Sequence, residues 1–391
     1  MGKSEGGGPA VLLLEDGTLF QGKGFGAETM VVGELVFNTG MVGYPESMTD
    51  SSYAGQVLTF TYPLIGNYGV PSEKDRDVFG LPRHFESGGI KLTGIVVQEC
   101  CKRPSHWASV QTLSDWMDRE GVPGIEGVDT RALVSTIRER GVMMCVLSTG
   151  EGAANRRELK RALEKAARYD SVDFVRRVSV KRPETYGEAE KRVVVIDCGV
   201  KESIIRNMLG RGYAVVRVPF DSSYADVMKN DPSGVIVSNG PGDPRLCVET
   251  VKTTSRLVDS EVPVLGICLG EQVLGMSQGA ETYKLKYGHR GQNKPVVDLG
   301  SGRGYVTSQN HGYAVDPKSL SRTELRPWFV NGDDKSVEGL AHGTRPAMAV
   351  QFHPEAAPGP YDTEFVFDRF AEMIASPKKT LVGERVRSMK A

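Results

Sequence analysis

From residue 192 onward, short and nearly unbroken apolar runs alternate with stretches whose apolar residues recur at helical spacing. "RVVVIDCG" predicts a strand, "VKESIIRNMLGRG" a helix closed by glycine, and "YAVVRVPFD" a second strand. "GVIVSNGPGDP" predicts a third strand running into a turn-rich loop. "VPVLGICLGEQVLGMSQG", 262–279, predicts a strand, a sharp elbow and a helix. Strands that are apolar on both faces belong in a parallel sheet covered by helices on either side. In such sheets binding sites collect at the carboxyl ends of the strands, where the "NGPGDP" loop and Cys268 both fall.

The first half has a different rhythm. Short β-like runs, "VLLLEDG", "VVGELVFNTG", "QVLTFTYPLIGNYG" and "IKLTGIVVQECC", are broken by glycine and proline. Helical spacing predicts a helix over 105–120, with Trp107, Val110, Leu113 and Trp116 on one face and Ser105 as its cap. A second helix is predicted in "GVDTRALVSTIRERG", starting near Asp129 or Thr130. This half reads as α+β. A charged amphipathic helix then fills "EGAANRRELKRALEKAARYD", and the polar "SVKRPETYGEAEKR" reads as a linker. The expected organisation is a first domain over 1–150, helix and linker over 151–190, an α/β domain over 191–380, and a loose or solvated tail over 381–391. No internal repeat or low-complexity segment is evident.

Composition narrows the function classes. At 391 residues the chain calls for two or three domains, and 39 % hydrophobic with 25 % charged residues describes a globular protein. A net charge of −1 without a basic tract argues against nucleic-acid or membrane-surface partners. No apolar run reaches the roughly 20 residues of a membrane span. The glycine-rich start does not resemble a secretory signal, and Glu5 interrupts what would otherwise suggest myristoylation. Six cysteines without a CxxC or a His/Cys metal spacing point to a reducing, cytoplasmic setting and no metal site.

The chemistry sits at the strand ends. A strand-to-helix elbow presents its central side chain above the sheet, and the unpaired N–H groups of the helix start face whatever reacts there. Gly266 and Gly270 allow the bend, and the helix dipole favours the Cys268 thiolate. By itself a GxCxG elbow also fits an α/β-hydrolase or a structural turn. A nucleophilic thiol needs a proton shuttle and a group to orient it. "AMAVQFHPEAAPGP", 347–360, supplies His353 at the end of an apolar strand as base and acid, with Glu355 to hold its tautomer. His84, His106, His289 and His342 have no such setting and are expected in solvated or capping roles. Gly240 and Gly242 permit close backbone approach to a ligand, and no GxxxxGK[ST] phosphate loop is present.

"SNGPGDP", "GICLGEQ" and "FHPE", in that order, resemble the class I glutamine amidotransferases. "GELVFNTGMVGYPESMTDSSYAGQVLTFTYPLIGNYG", "GVDTRAL" and "YGHRGQNKPV" extend the resemblance to carbamoyl-phosphate synthase small subunits over nearly the whole chain. The resemblance implies an α+β small-subunit domain followed by a flavodoxin-like parallel-sheet amidotransferase domain. It implies a glutaminase with Cys268 as nucleophile through a glutamyl thioester, and His353 and Glu355 completing a triad. It assigns L-glutamine binding to Ser47, Gly240, Gly242, Leu269, Gln272, Asn310, Gly312 and Tyr313, with the amides of Leu269 and Gly240 as oxyanion hole. It also implies a large-subunit partner that uses ATP, Mg and bicarbonate, and no cofactor in this chain. Pyrimidine or arginine biosynthesis, or both, would follow. Glu271 departs from the family pattern, where many relatives carry histidine, and is expected to tune local electrostatics at most. Three other readings remain: an amidotransferase subunit of another synthase, a degenerate scaffold module, and a peptidase of the same fold.

Overall fold

The computed structural model describes residues 7–150, 153 and 155–377, so the readings of "MGKSEG" and of the tail beyond Pro377 lie outside the described residues. The chain divides into two compact units, Met1–Val172 and Asp173–Ala391.

In the first unit the strands are β1 (Pro9–Leu14), β2 (Leu19–Gly26), β3 (Met30–Asn38), β4 (Gln56–Phe60), β5 (Leu64–Ile65), β6 (Gly94–Val96), β7 (Glu99–Cys100), β8 (Pro123–Glu126) and β9 (Met143–Thr149). Its helices are α1 (Tyr44–Thr49), α2 (Leu113–Arg119), α3 (Thr130–Arg140) and α4 (Arg156–Lys165). Seven strands close into a barrel in the order β1-β2-β8-β6-β4-β3-β9, while β5 and β7 form a separate ribbon. Helix α3 starts at Asp129, whose side chain accepts from the Ala132 amide. Helix α4 opens with a capping box between Asn155 and Glu158.

The helix expected over 105–120 is shorter than its spacing suggests. Thr112 caps it by accepting from the Asp115 amide, and Trp107 and Val110 are 89 % and 65 % exposed. The preceding backbone is committed elsewhere: Val110 N–H donates to Val70 O at 3.0 Å, Val70 N–H to Gln111 O at 3.0 Å, and Ser105 N–H to Asn67 O at 3.1 Å. Those bonds tie the segment to residues 67 and 70 through a turn at 106–109 and a bridge at Gln111, so its 3.6-residue periodicity becomes a helix only from Leu113.

The second unit contains β10 (Glu184–Tyr186), β11 (Arg192–Asp197), β12 (Ala214–Pro219), β13 (Gly234–Val237), β14 (Val264–Ile267), β15 (Thr282–Asp298), β16 (Gly304–Val315), β17 (Leu325–Asn331), β18 (Val337–His342) and β19 (Ala347–Val350). Its helices are α5 (Val175–Val178), α6 (Glu202–Gly210), α7 (Tyr224–Met228), α8 (Val248–Asp259), α9 (Leu269–Ser277) and α10 (Phe365–Ala375). One ten-stranded sheet runs β10-β12-β11-β13-β14-β19-β18-β17-β15-β16. Its parallel centre, β12-β11-β13-β14-β19, has the flavodoxin-like order. The expected unbroken apolar strands are buried on both faces: Val193 to Ile196 and Val235 to Val237 are each 0 % exposed.

Two features depart from the reading of the chain. The supposed linker contributes β10, paired antiparallel with β12, and Val180 N–H donates to Asp197 Oδ2 at 2.7 Å. The last parallel strand, β19, returns only after four antiparallel strands, so the parallel centre carries antiparallel flanks on both sides.

Candidate active site

The site is built where β14 ends. Gly266 and Gly270 are required by close approach rather than by turn angle. A Cβ on Gly266 would lie 2.4 Å from Gly270 O, and one on Gly270 would lie 2.0 Å from Val237 O. Between them Cys268 takes φ 55°, ψ −104°, a backbone conformation that costs a side-chain-bearing residue about 1–3 kcal/mol. Cys268 N–H donates to Val350 O at 2.8 Å, which ties the elbow to the end of β19. The thiol is 2 % exposed and its Sγ lies 3.8 Å from Asn310 O. Leu269 opens α9, where the first amides have no intrahelical acceptor.

β19 lies beside β14 in parallel register, Ile267 against Val350, so the chain leaving β19 emerges next to the elbow. His353 stands three residues beyond the end of β19 rather than on it, and is held by its own N–H donating to Ser308 O at 2.9 Å. Its Nδ1–H donates to Glu355 Oε1 at 2.6 Å, which fixes the tautomer and leaves Nε2 for proton transfer. Glu355 also meets Lys201 Nζ at 2.9 Å, with both side chains buried, and Lys201 Nζ donates to Ala357 O at 3.1 Å.

The electrostatics follow from these contacts. Burial disfavours a charged imidazole, but the Glu355 carboxylate and the Cys268 sulfur outweigh it, and His353 is raised to about 10. Burial likewise works against the Glu355 carboxylate, yet the Lys201 ammonium and then His353 hold it at about 2. The pair is therefore an imidazolium–carboxylate pair at neutral pH. Glu271 goes the other way. Fully buried, with neither carboxyl oxygen hydrogen-bonded and with Glu338 and Cys268 nearby, it is pushed well above the usual carboxylate range.

The second unit brings together most of the expected binding residues. Gln272 Nε2 donates to Tyr313 O at 3.0 Å and to Gln351 Oε1 at 2.9 Å, joining α9 to β16. Asn310, Gly312 and Tyr313 follow one another on β16. Gly240 packs so tightly that a Cβ would lie 2.2 Å from Cys198 O and 2.9 Å from Leu269 Cδ2. Gly242, at φ 89°, turns the same loop. Ser47 is half-buried on α1 in the first unit and is not among the residues that the second unit assembles.

Three features were not foreseen. Lys201 takes the position just before α6, four residues beyond the end of β11, and a lysine in the short turn after a buried strand was the available signal. Gln351 lies within the "AVQFHPE" stretch already singled out. His289, expected to be solvated, is buried with His311 and Glu338. His106 and His342 do serve as caps, accepting from the amides of Ala108 and of Thr344 and Arg345.

Two family models match the chain. One, described as carbamoyl-phosphate synthase small chain, CPSase domain, covers residues 12–147; the other, glutamine amidotransferase class-I, covers 194–373. The carbamoyl phosphate synthase small chain of Pyrococcus furiosus is 50 % identical over 372 residues, covering 94 % of this chain and 98 % of that one. Arginine-specific small chains from Aspergillus fumigatus and Chaetomium globosum are 46 % and 48 % identical over 94 % and 93 % of this chain, and 80 % and 78 % of theirs. Among solved structures, a glutamine amidotransferase from Thermotoga maritima overlaps 48 % of this chain and 84 % of its own, at 20 % identity and a TM-score of 0.35. The chain belongs to the carbamoyl phosphate synthase small chain family and carries a class I glutamine amidotransferase domain.

Proposed function

We propose that this chain hydrolyses L-glutamine through a Cys268 glutamyl thioester and delivers the ammonia to a large subunit. That subunit would make carbamoyl phosphate from bicarbonate and ATP, with the nucleotide and its Mg held outside this chain. The observation that carries the reading is the convergence of Cys268, His353 and Glu355 at the ends of two adjoining parallel strands.

The thiolate attacks the carboxamide carbon, and the oxyanion is received by the amides of Leu269 and Gly240. His353, protonated beside Glu355, gives its proton to the leaving nitrogen, so ammonia departs and the thioester remains. Water then attacks the thioester with His353 as base. Glutamate leaves and the thiolate returns. Gln272 and the 310–313 segment line the glutamine, and the family resemblance adds Ser47 to the binding residues. The product serves arginine biosynthesis, pyrimidine biosynthesis or both, in the cytoplasm; no described helix is long and apolar enough to cross a membrane.

The test is the Cys268→Ala variant assembled with its large partner. Glutamine-dependent synthesis should vanish while ammonia-dependent synthesis survives. Retained glutaminase turnover would remove Cys268 from the mechanism. In the same assembly Ser47→Ala should raise KM for glutamine roughly two- to twelvefold, the worth of one neutral hydrogen bond.

A further inference from the structure

His289 on β15, His311 on β16 and Glu338 on β18 converge in the interior of the second unit, with Glu271 near both Glu338 and Cys268. Their hydrogen bonds fix where the ring hydrogens are. His311 Nδ1 lies 2.8 Å from Tyr313 O, which can only accept, so Nδ1 carries the hydrogen and Nε2 is bare in the neutral ring. His289 Nε2 lies 2.9 Å from Asp334 Oδ2 and donates to it, which leaves Nδ1 bare in the same way. These two nitrogens are 3.3 Å apart. Glu338 Oε1 lies 3.2 Å from the first and 3.7 Å from the second. Asn331 Nδ2 reaches His289 Nδ1 only at 3.4 Å, so three lone pairs at that spacing repel one another unless a positive centre, a proton or a metal ion, lies among them.

The spacing is informative. A tetrahedral ion with bonds of about 2.0–2.2 Å has ligand-to-ligand edges of about 3.3–3.6 Å, and the three separations bracket that range. Both rings also have their outer N–H held by an oxygen acceptor, the arrangement that orients metal-bound imidazoles. Glu338 Oε1 is further steadied by Asn331 Nδ2 at 2.9 Å, and the fourth corner of the tetrahedron is left to a solvent ligand. Two imidazoles and a carboxylate suit Zn2+ better than Mg2+ or Ca2+.

We propose that His289, His311 and Glu338 bind one divalent cation of the Zn2+ class, joining β15, β16 and β18. The ion is structural. His311 sits between Asn310 and Gly312, so it steadies the strand that carries the glutamine-side residues and takes no part in the hydrolysis. Asp334, which accepts from His289 Nε2, is 46 % exposed in its side chain.

The test uses the full chain with Cys268→Ser, which removes the active-site thiol as a competing ligand. The stripped protein is titrated with Zn2+ against a chromogenic chelator. One equivalent should bind, and His289→Ala and Glu338→Gln should each weaken it by roughly a hundredfold or more. Co2+ added to the same stripped chain, with all three ligands intact, should give the intense visible bands of a four-coordinate ion, a readout that does not depend on the variants folding. Substoichiometric Zn2+ binding, an equivalent that persists in both variants, or only the pale spectrum of six-coordinate Co2+ would overturn the proposal. A proton shared by His289, Glu338 and Asp334 would then be what relieves the cluster.

Discussion

Strain at the elbow can be measured by comparing two dead enzymes. Cys268→Ala and Cys268→Gly both lack the thiol, so they differ only in a Cβ at φ 55°, ψ −104°. Holding a Cβ there costs about 1–3 kcal/mol. Glycine is released from that cost but loses about 0.5–1 kcal/mol in chain entropy relative to alanine. The balance favours glycine by roughly 1 kcal/mol, or about 2–4 °C in the midpoint of a unit of this size. At an ordinary position the sign is reversed. Urea unfolding read by deuterium uptake in peptides from β14 and α9 reports on the second unit alone, and neither variant should turn over glutamine. If alanine proved equal to or more stable than glycine, the elbow would not be strained and the argument from its backbone would fail.

Gly270→Ala should keep the thiol and lose the enzyme. Its Cβ would meet Val237 O at 2.0 Å, where contacts below 3.0 Å essentially do not occur, so α9 must retreat by about 1 Å. A displacement of that size costs on the order of a hundredfold in rate, and steady-state glutaminase kinetics would check it. For the pH dependence, His353 has a raised folded pKa, so its contribution to stability is fully present below 6.5 and is lost as pH rises through about 10. Glu355→Gln removes the strongest of the influences that raise it, so urea midpoints at pH 7 and pH 10 should differ less in the variant than in the wild type. A larger difference in the variant would contradict the ion pair. Glu271→Gln should leave kcat/KM within about twofold, because burial favours the uncharged form of Glu271 and an amide is close to that form in size and charge; a tenfold fall would show that Glu271 acts as an anion or transfers a proton.

The α/β half was legible because strands buried on both faces leave an unmistakable run of apolar residues, and the meeting of Cys268, His353 and Glu355 because they lie in two short stretches at the ends of adjoining strands. Pairing between distant segments left no such mark. Nothing local announces that β1 pairs with β9 and β2 with β8 to close a barrel, or that Glu184–Tyr186 joins the sheet beside β12. The 105–120 stretch misled for the same reason, since a helical pattern was overridden by backbone bonds to residues 67 and 70. Lys201 and the His289, His311 and Glu338 cluster are assembled from separate strand ends and separate strands. Their spacing along the chain matches no metal or catalytic motif, and only the register of the sheet brings them together.

The position of β19 also bears on how the protein is made. The strand comes late in the chain yet inserts between β14 and β18, in the interior of the sheet rather than at its edge. During synthesis the thiol therefore leaves the ribosome well before the histidine that must serve it, and sheets that depend on such distant pairings form late. Chains arrested before residue 347 should hydrolyse no glutamine, which a ribosome-bound activity assay would check. Such fragments also leave β14 and β18 with unpaired edges, the kind of surface that drives aggregation. A chain that stops before β19 is thus expected to be discarded as a whole, and ammonia release begins only in molecules whose synthesis has passed His353.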